Sequence, residues 1–196
     1  MAKVEAGDSV HVAEGEYFGK LKGGKWTIET QSVSLLGGYD SSFKERNPWK
    51  HPTRLRAAPD LKGSRIGYTL EGVNDHSGAI VDGFVFDKVG DNKYKPNGDL
   101  DYDNSDKSEH LWLSKPGCII RNNVFLNGAE GALRVASGIT VENNIFINHH
   151  LKTVNAQRGV SDAPLVFRNN TVAFAWDIHF GEGNGLIGSL LNLDNG

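Results

Sequence analysis

Short runs in which apolar and polar residues alternate recur along the second half of the chain. The segments Ile120–Phe125, Val141–Phe146 and Phe167–Val172 each hold an Asn-Asn pair between apolar flanks. The pairs follow one another after 21 and then 26 residues. Alternation with a period of two is typical of a strand with one buried face, and a repeat of this length is typical of stacked β-strand units. The pattern therefore predicts parallel strands in the successive coils of a β-solenoid.

An earlier and looser copy of the repeat is Ile80–Val85. Aligning the four copies predicts two columns of inward-facing side chains: Ile80, Ile120, Val141 and Phe167 in one, and Val85, Phe125, Phe146 and Val172 in the other. The first residue of each Asn pair is predicted to stack from coil to coil as a structural amide ladder, formed by Asn122, Asn143 and Asn169. The second is predicted to adopt the left-handed conformation of a tight corner, which agrees with Gly83 at that position.

A charged column is expected on the outside of the same coils. Arg121, Glu142 and Arg168 occupy the same position in the three copies. Opposite charges on neighbouring strands help to fix their register, although each exposed ion pair contributes little free energy. We interpret this column as a solvent-exposed ladder of ion pairs, with a binding stripe as the alternative.

The N-terminal third also reads as strands between glycine turns. Ser9–Val12, Trp26–Glu29 and Ser32–Leu36 alternate or run apolar. Two polar excursions, near 39–53 and 87–109, have no apolar period and are expected to leave the solenoid as loops. The fold class predicted from these patterns is all-β: a parallel β-solenoid, forming a single domain over residues 1–196.

Composition narrows the choice of partners. Charged residues make up 23% of the chain and the formal net charge is -3, with no basic run, which argues against a nucleic-acid partner. No stretch approaches about 18 apolar residues, so no membrane span is expected. Cys118 is the single cysteine, which excludes an intrachain disulfide, and we interpret it as a small buried hydrophobe rather than a nucleophile.

Two segments carry a resemblance to a known family. Ala6–Tyr17 resembles the opening coil of the pectate-lyase-like right-handed parallel β-helix superfamily. Leu36–Asp40, together with Phe43 and Arg46–Pro48, is similar to a subgroup of exported bacterial β-helix proteins. The resemblance covers nearly the whole chain and implies a right-handed parallel β-helix, here of about seven coils. It leaves activity open, because the superfamily includes polysaccharide lyases, hydrolases, epimerases and adhesins.

The resemblance also implies segments beyond the two ends of the sequence. In that superfamily a helix caps the first coil and further coils follow, whereas here the first coil begins near Gly7, close to the start of the sequence, and the sequence stops within the pattern at 190–196. We therefore expect a fragment, truncated at one or both ends, of a protein that is extracellular or displayed at the cell surface. Uncapped coils expose edge strands, which predicts end-to-end self-association or missing flanking segments.

A first candidate site follows the Asn-Asn corners. Leu133, Val154 and Phe180 are predicted to point inward, with Arg134 and Asn155 in the next outward position and Thr153 and His179 on the other outward side. β-Elimination of a uronate polymer needs a base near the sugar C5 proton and a cation beside the carboxylate. The candidate catalytic residues are Lys152 or His179 as base and Arg134 or Arg158 as neutralising cation. The alternative is a solvated polar face.

Acidic residues supply two further candidates. Asp99, Asp101, Asp103 and Asp106 alternate in the second excursion and could converge on Ca²⁺, which many lyases of the resembling superfamily use to bridge substrate carboxylates. The alternative is a hydrated acidic loop. A glycosidase pair drawn from Asp82, Asp87 and Asp177 is the other candidate, although Asp82 also fits the position of the Asn ladder.

Aromatic residues offer a site that needs no catalysis. Tyr39 and the candidate substrate-binding residues fall in or beside the excursions and the outward strand positions, and flat rings stack on sugar faces. The candidate substrate-binding residues are Trp49, Tyr94, Tyr102, Trp112 and Asn155. The function expected from the sequence is an exported, carbohydrate-associated domain that binds polysaccharide on a lateral face. The alternatives are a polysaccharide lyase acting on uronate polymers and a non-catalytic structural or adhesin solenoid.

Overall fold

The fold is seen in a computed structural model, which describes residues 4–19, 25–56, 68–90, 92–105, 108–157, 162–180, 186–187 and 190–193. The strands are β1 (Ser9–Ala13), β2 (Gly15–Phe18), β3 (Trp26–Ile28), β4 (Ser34–Tyr39), β5 (Thr53–Arg56), β6 (Leu70–Gly72), β7 (Ile80–Asp82), β8 (Phe84–Asp87), β9 (Leu111–Leu113), β10 (Ile119–Arg121), β11 (Val124–Leu126), β12 (Gly131–Ala136), β13 (Thr140–Glu142), β14 (Ile145–Gln157), β15 (Leu165–Arg168), β16 (Asn170–Phe180), β17 (Leu186–Ile187) and β18 (Leu190–Leu193). A single turn of 3₁₀-helix covers Tyr102–Asn104.

Within the described ranges the strands form two sheets, and the paired strands run parallel. The seven-stranded sheet has the order β1-β4-β7-β10-β13-β15-β17. The eleven-stranded sheet has a first arm, β2-β5-β8-β11-β14, and a second arm, β12-β9-β6-β3, which also pairs with β14. Its remaining two strands are β16, which pairs with β14, and β18, which pairs with β16. The chain visits the seven-stranded sheet, the first arm and the second arm in turn, and then returns. The predicted all-β class with parallel strands is confirmed.

The core between the sheets is built from stacked identical positions. Phe86, Phe125 and Phe146 are fully buried, and their rings stack at centroid distances of 4.8 and 5.0 Å. Parallel pairing places equivalent side chains about 4.8 Å apart, so like rings lie face to face across neighbouring strands. The predicted inward positions Ile120, Val141, Phe167, Phe125, Phe146 and Val172 are all buried.

The earliest copy of the repeat is shifted by one residue from the predicted alignment. Val81 pairs with Ile120 and Phe86 pairs with Phe125, so these two residues, rather than Ile80 and Val85, stand in the inward columns. The reason is that this copy has only one corner residue of the Asn-Asn kind. Gly83 takes the left-handed position with φ 84°, and the position of the second Asn is filled by Phe.

The two residues of each Asn pair have the opposite roles from those predicted. The predicted ladder of Asn122, Asn143 and Asn169 is wrong, because these residues adopt left-handed φ angles of 55°, 56° and 54° at the first corner, between the seven-stranded sheet and the first arm. The amide ladder is formed by the following residues, which are buried: Asn123, Asn144 and Asn170. Buried backbone groups at the corner need partners, and the inward-turned amides supply them.

The charged column on the seven-stranded sheet is confirmed and extends one strand further. Arg121 pairs in register with Glu142, and Glu142 with Arg168, whose guanidinium lies 2.6 Å from the Glu142 carboxylate. Asp82 continues the column and accepts hydrogen bonds from Arg46 Nη2 at 2.6 Å and Arg121 Nε at 2.7 Å. Asp82 therefore belongs to the charged column and not to the amide ladder.

A second corner, between the two arms, has its own exposed column. Asn127 and Asn148 have φ angles of 61° and 60°, and Phe174, at the equivalent position on the next strand, has φ 54°. Asn148 Nδ2 donates to Asn127 Oδ1 at 2.8 Å, and Asn127 Nδ2 donates to Asp87 Oδ1 at 2.9 Å. This column was missed in the sequence because its residues stand singly rather than in pairs. Left-handed backbone conformations favour Asn over other non-glycine residues.

Candidate functional site

The outward side of the second arm carries a continuous row of polar and aromatic side chains. Glu71 on β6, Trp112 on β9, Arg134 on β12 and Asn155 on β14 pair in register. Their neighbours along each strand are buried core residues, so the row is the solvent side of the arm. We call these four residues, together with Tyr68 beside them, the flank surface. Parallel pairing places successive residues of this row about 4.8 Å apart, one on each strand.

Arg134 is held at the centre of the flank surface by two contacts. Its Nη1 donates to Tyr68 Oη at 2.9 Å, and its guanidinium carbon lies 5.6 Å from the centroid of the Trp112 ring. The Tyr68 ring lies 5.0 Å from the same indole. A guanidinium over an indole is attracted by the ring quadrupole. The three side chains therefore form one contacting group, in which Arg134 and Trp112 stand on strands and Tyr68 lies two residues before β6.

Tyr68 stays protonated at neutral pH. Burial, followed by the negative charge of Glu109, raises the pKa of the Tyr68 hydroxyl, and the hydrogen bond from Arg134 does not offset them. Because Arg134 donates to the phenolic oxygen, the phenolic proton is left to be donated elsewhere. Tyr68 is thus suited to donating a hydrogen bond and not to acting as a tyrosinate base.

The second excursion reaches the edge of the flank surface at the second corner. Tyr102 Oη donates to the carboxylate of Glu130 at 2.5 Å, and its ring lies 5.4 Å from that of His150. The carbonyl of Glu130 accepts the backbone N–H of Lys152 at 2.8 Å. The excursion is therefore packed against Glu130, the residue directly before β12, and β12 carries Arg134.

The structure brings together part of the predicted catalytic set. Arg134 and Asn155 pair across β12 and β14 as predicted, and Asn155 pairs in turn with His179 on β16. Lys152 is half-buried on β14 and pairs with Gly131. The side chain of His179 and the whole of Arg158 lie outside the described residues.

Two of the predicted orientations on these strands need correction. Thr153 was predicted to point outward, but it is fully buried. Leu133 and Val154 are buried in register as predicted, but the partner of Val154 on β16 is Ile178, because the pairing shifts between Lys152 and Val154. Phe180 pairs with Ala156 instead.

The predicted substrate-binding aromatics fall at different places. Trp112 is on the flank surface and Tyr102 is at its edge. Trp49, whose side chain is 63% exposed, lies at the first corner in the loop that joins β4 to β5. Tyr94 is exposed in the second excursion, where it forms an isolated antiparallel bridge with Leu100. The aromatic residues therefore do not form one surface.

The acidic candidates do not assemble into a metal site within the described residues. No group of three or more His, Cys, Asp or Glu side chains in that part of the chain is arranged to hold a metal ion. Asp99 accepts a hydrogen bond from its neighbour Asn97, Asp103 lies in the 3₁₀ turn, and Asp106 lies outside the described residues. Of the proposed glycosidase carboxylates, Asp82 and Asp87 are on different sheets, and the side chain of Asp177 is not described.

Cys118 behaves as the sequence predicts. Its side chain is buried, and burial raises the pKa of the thiol to about 11. A thiol with that pKa carries almost no thiolate at neutral pH, so it is not a nucleophile.

Sequence reasoning missed Tyr68, Glu71 and the neighbouring Glu109. The sequence does contain a signal for Glu71, in the form of a repeated tripeptide. Its first residue is apolar, its second varies, and its third is small or apolar. Its copies are Leu70-Glu71-Gly72, Leu111-Trp112-Leu113, Leu133-Arg134-Val135 and Val154-Asn155-Ala156. These tripeptides align the outward row without any reference to the Asn pairs.

Comparisons with protein-family models, curated proteins and solved structures find no match to this chain. None of the described segments forms a helix with the length and hydropathy needed to cross a membrane. Function is therefore inferred from the residues of the flank surface themselves.

Proposed function

We propose that the chain forms an exported right-handed parallel β-helix of about seven coils that binds polysaccharide along its flank surface. The repeated order of seven-stranded sheet, first arm and second arm, with parallel pairing, supports the fold. The resemblance of Ala6–Tyr17 and Leu36–Asp40 to the pectate-lyase-like superfamily supports the same assignment and an extracellular or cell-surface location.

The observation that carries the functional proposal is the register of Glu71, Trp112, Arg134 and Asn155. Their row holds a carboxylate, an aromatic ring, a guanidinium and an amide, one on each of four neighbouring strands. Sugar rings offer hydroxyl groups at their edges and apolar C–H faces, so they need donors, acceptors and rings in one plane. Strands hold such groups more rigidly than loops do.

The length of the row favours a polymer over a single sugar. Four residues on four neighbouring strands extend over about 14 Å at the spacing of parallel strands. Each strand offers its own polar group, so successive sugars of a chain would meet successive side chains. A linear polysaccharide lying across the strands uses the whole row.

Binding to a panel of soluble polysaccharides tests this proposal. Calorimetry with the wild-type protein is expected to find at least one binder, and Arg134→Gln is expected to weaken that binding by about tenfold or more. Arg54→Gln, on the first arm, is the matched control and should bind as the wild type does. If no polysaccharide binds, or if both variants lose binding equally, the flank surface is not the site.

The lyase reaction is the alternative use of the same surface. Lys152 lies on β14, which pairs with the strand of Arg134, so a base and a cation stand on neighbouring strands. Incubation with uronate polymers, with and without calcium, would produce unsaturated ends that absorb ultraviolet light. Loss of that absorbance in Lys152→Gln, with binding retained, would establish catalysis; silence in the wild type would leave binding alone.

A further inference from the structure

Two buried carboxylates lie within or next to the flank surface. Glu71 is 9% exposed and Glu109 is 6% exposed. Glu71 pairs in register with Trp112 within the row, and the side chain of Glu109 lies close to Gly131 at the start of β12, the strand of Arg134. The negative charges of both carboxylates act on the pKa of Tyr68, after burial as the main cause.

The cations around these carboxylates are held by the protein itself. Lys25 forms an ion pair with Glu71, and Arg134 donates to Tyr68 and covers the Trp112 ring. A polyuronate carries a carboxylate on every sugar, so its site needs cations in excess of the local acids. Around the flank surface, the described acidic residues are as numerous as the described basic ones: Glu71, Glu109 and Glu130 against Lys25, Arg134 and Lys152.

Resting on the proposed function, we propose that the flank surface selects uncharged sugars and rejects uronates. Carboxylates accept hydrogen bonds from sugar hydroxyls, and such bonds to a charged acceptor are stronger than neutral ones. A sugar carboxylate placed against Glu71 and Glu109 would instead face two like charges in partly desolvated surroundings. The two acids therefore act as the specificity-determining groups of the surface, and they are distinct from the ring and guanidinium that provide contact area.

The first test compares neutral and acidic polymers on the wild-type protein. Calorimetry is run with soluble β-glucan, galactomannan and xylan, and with polygalacturonate and alginate, each in EDTA and again in calcium. The expected result is a dissociation constant for at least one neutral polymer that is about tenfold or more below that of either polyuronate. Raising the sodium chloride concentration should leave neutral binding nearly unchanged.

The second test changes the acid without changing its shape. Glu109→Gln is expected to narrow the preference for neutral polymers over polyuronates by about tenfold, because one repelling charge is removed. Glu142→Gln, on the seven-stranded sheet, is the matched control and should keep the wild-type preference. Circular dichroism checks that both variants fold. If Glu109→Gln does not fold, the salt dependence of polyuronate binding by the wild-type protein decides: added sodium chloride should strengthen that binding by screening the repulsion, and a weakening would overturn the inference.

The outcomes separate this inference from the proposed function. Polyuronate binding as tight as, or tighter than, neutral binding, in either EDTA or calcium, would overturn the inference while leaving polysaccharide binding in place. An unchanged preference in a folded Glu109→Gln variant would also overturn it. Absence of binding to every polymer would overturn both.

Discussion

The side-chain amide of Asn123 donates to the side-chain oxygen of Asn144 at 3.1 Å, and the backbone N–H of Asn123 donates to that same oxygen at 3.0 Å. Asn144 repeats both contacts with Asn170, one strand further on. The Asn144 amide also donates to the carbonyl of Ile120 at 2.9 Å. Each member of the ladder thus satisfies backbone groups of its neighbours at a buried corner.

The roles of the two Asn residues predict opposite responses to substitution. Asn144→Ala removes the partners of a buried backbone N–H and a buried carbonyl, so we expect a loss of about 2–4 kcal/mol in the free energy of unfolding. Asn143→Gly keeps the left-handed φ of 56° at an exposed position, and we expect a change within about 1 kcal/mol. Urea unfolding followed by circular dichroism measures both. A larger loss for Asn143→Gly than for Asn144→Ala would reverse the assignment of the ladder.

Phe174 is a bulky residue in a conformation that disfavours it. Its φ is 54° and its side chain is 54% exposed, at the position where neighbouring strands have Asn127 and Asn148. Phe174→Asn should therefore stabilise the fold by about 0.5–1 kcal/mol, because Asn tolerates the left-handed region better. Thermal unfolding gives the comparison, with Phe43→Asn, which has φ 57° in the loop at the first corner, as a second exposed case. Destabilisation by Phe174→Asn would mean that the ring makes a needed contact.

His149 predicts acid sensitivity. Burial lowers the pKa of His149 to about 4, and its ring joins the backbone of Gly128 and Phe125. The unfolded chain takes up a proton near pH 6.5 while the folded protein does not, so stability is complete above that pH and falls as the pH drops toward 4. Across this pH range, the titration of His149 should lower the free energy of unfolding by about 3 kcal/mol.

Urea unfolding at several pH values between about 7.5 and 4 tests this titration. His149→Gln keeps a polar side chain of similar length that does not titrate. The stability of this variant should therefore depend less steeply on pH than that of the wild type. His51 provides a contrast, since the hydrogen bond that its Nδ1 donates to the Glu14 carboxylate raises the pKa of His51, and the contribution of this bond to stability is lost as the pH rises. Equal slopes for wild type and His149→Gln would contradict the prediction.

The charged column predicts unequal losses at its two acidic positions. Burial by itself would raise the pKa of Asp82, but the hydrogen bonds from Arg46, Asn122 and Arg121 outweigh it and lower that pKa. Asp82→Asn leaves two guanidinium groups without their carboxylate at a buried site, and we expect a loss of about 3 kcal/mol. Glu142→Gln removes a pair in which the Arg168 side chain is 54% exposed, and it should cost less than about 1 kcal/mol. Urea unfolding at neutral pH distinguishes them.

The repeated part of the fold could be predicted from the sequence because its determinants are local. Alternation around Ile120 and Val141 defines one buried face, and the recurrence of the same short segment around each Asn pair defines which strands pair. The direction of Asn122 and Asn123 could not be predicted, because the pattern is nearly symmetric and only the backbone at the corner decides which amide turns inward. In the copy at Asp82-Gly83 the same ambiguity moved the alignment by one residue.

The candidate site was only partly predictable, for a different physical reason. Arg134 and Asn155 follow the Asn pairs at a fixed offset, so their adjacency could be inferred. Tyr68 precedes the earliest clear repeat, and nothing nearby in the sequence indicates that it approaches Arg134. Glu71 could have been placed only through its tripeptide, which aligns it with Trp112. The separation of Trp49 from Trp112 is likewise a property of the corners, because aromatic composition does not show which side of the fold a loop leaves.

The amide ladder also bears on how a protein of this kind can change in length. Since the contacts of Asn144 reach only to the strands on either side, a whole 21-residue unit between Asn123 and Asn144 can be duplicated or deleted and still present the same groups to its new neighbours. A single inserted residue inside a strand would instead turn every following side chain to the wrong face. Gain and loss of complete units is therefore the route by which such a chain lengthens its surface while keeping its core.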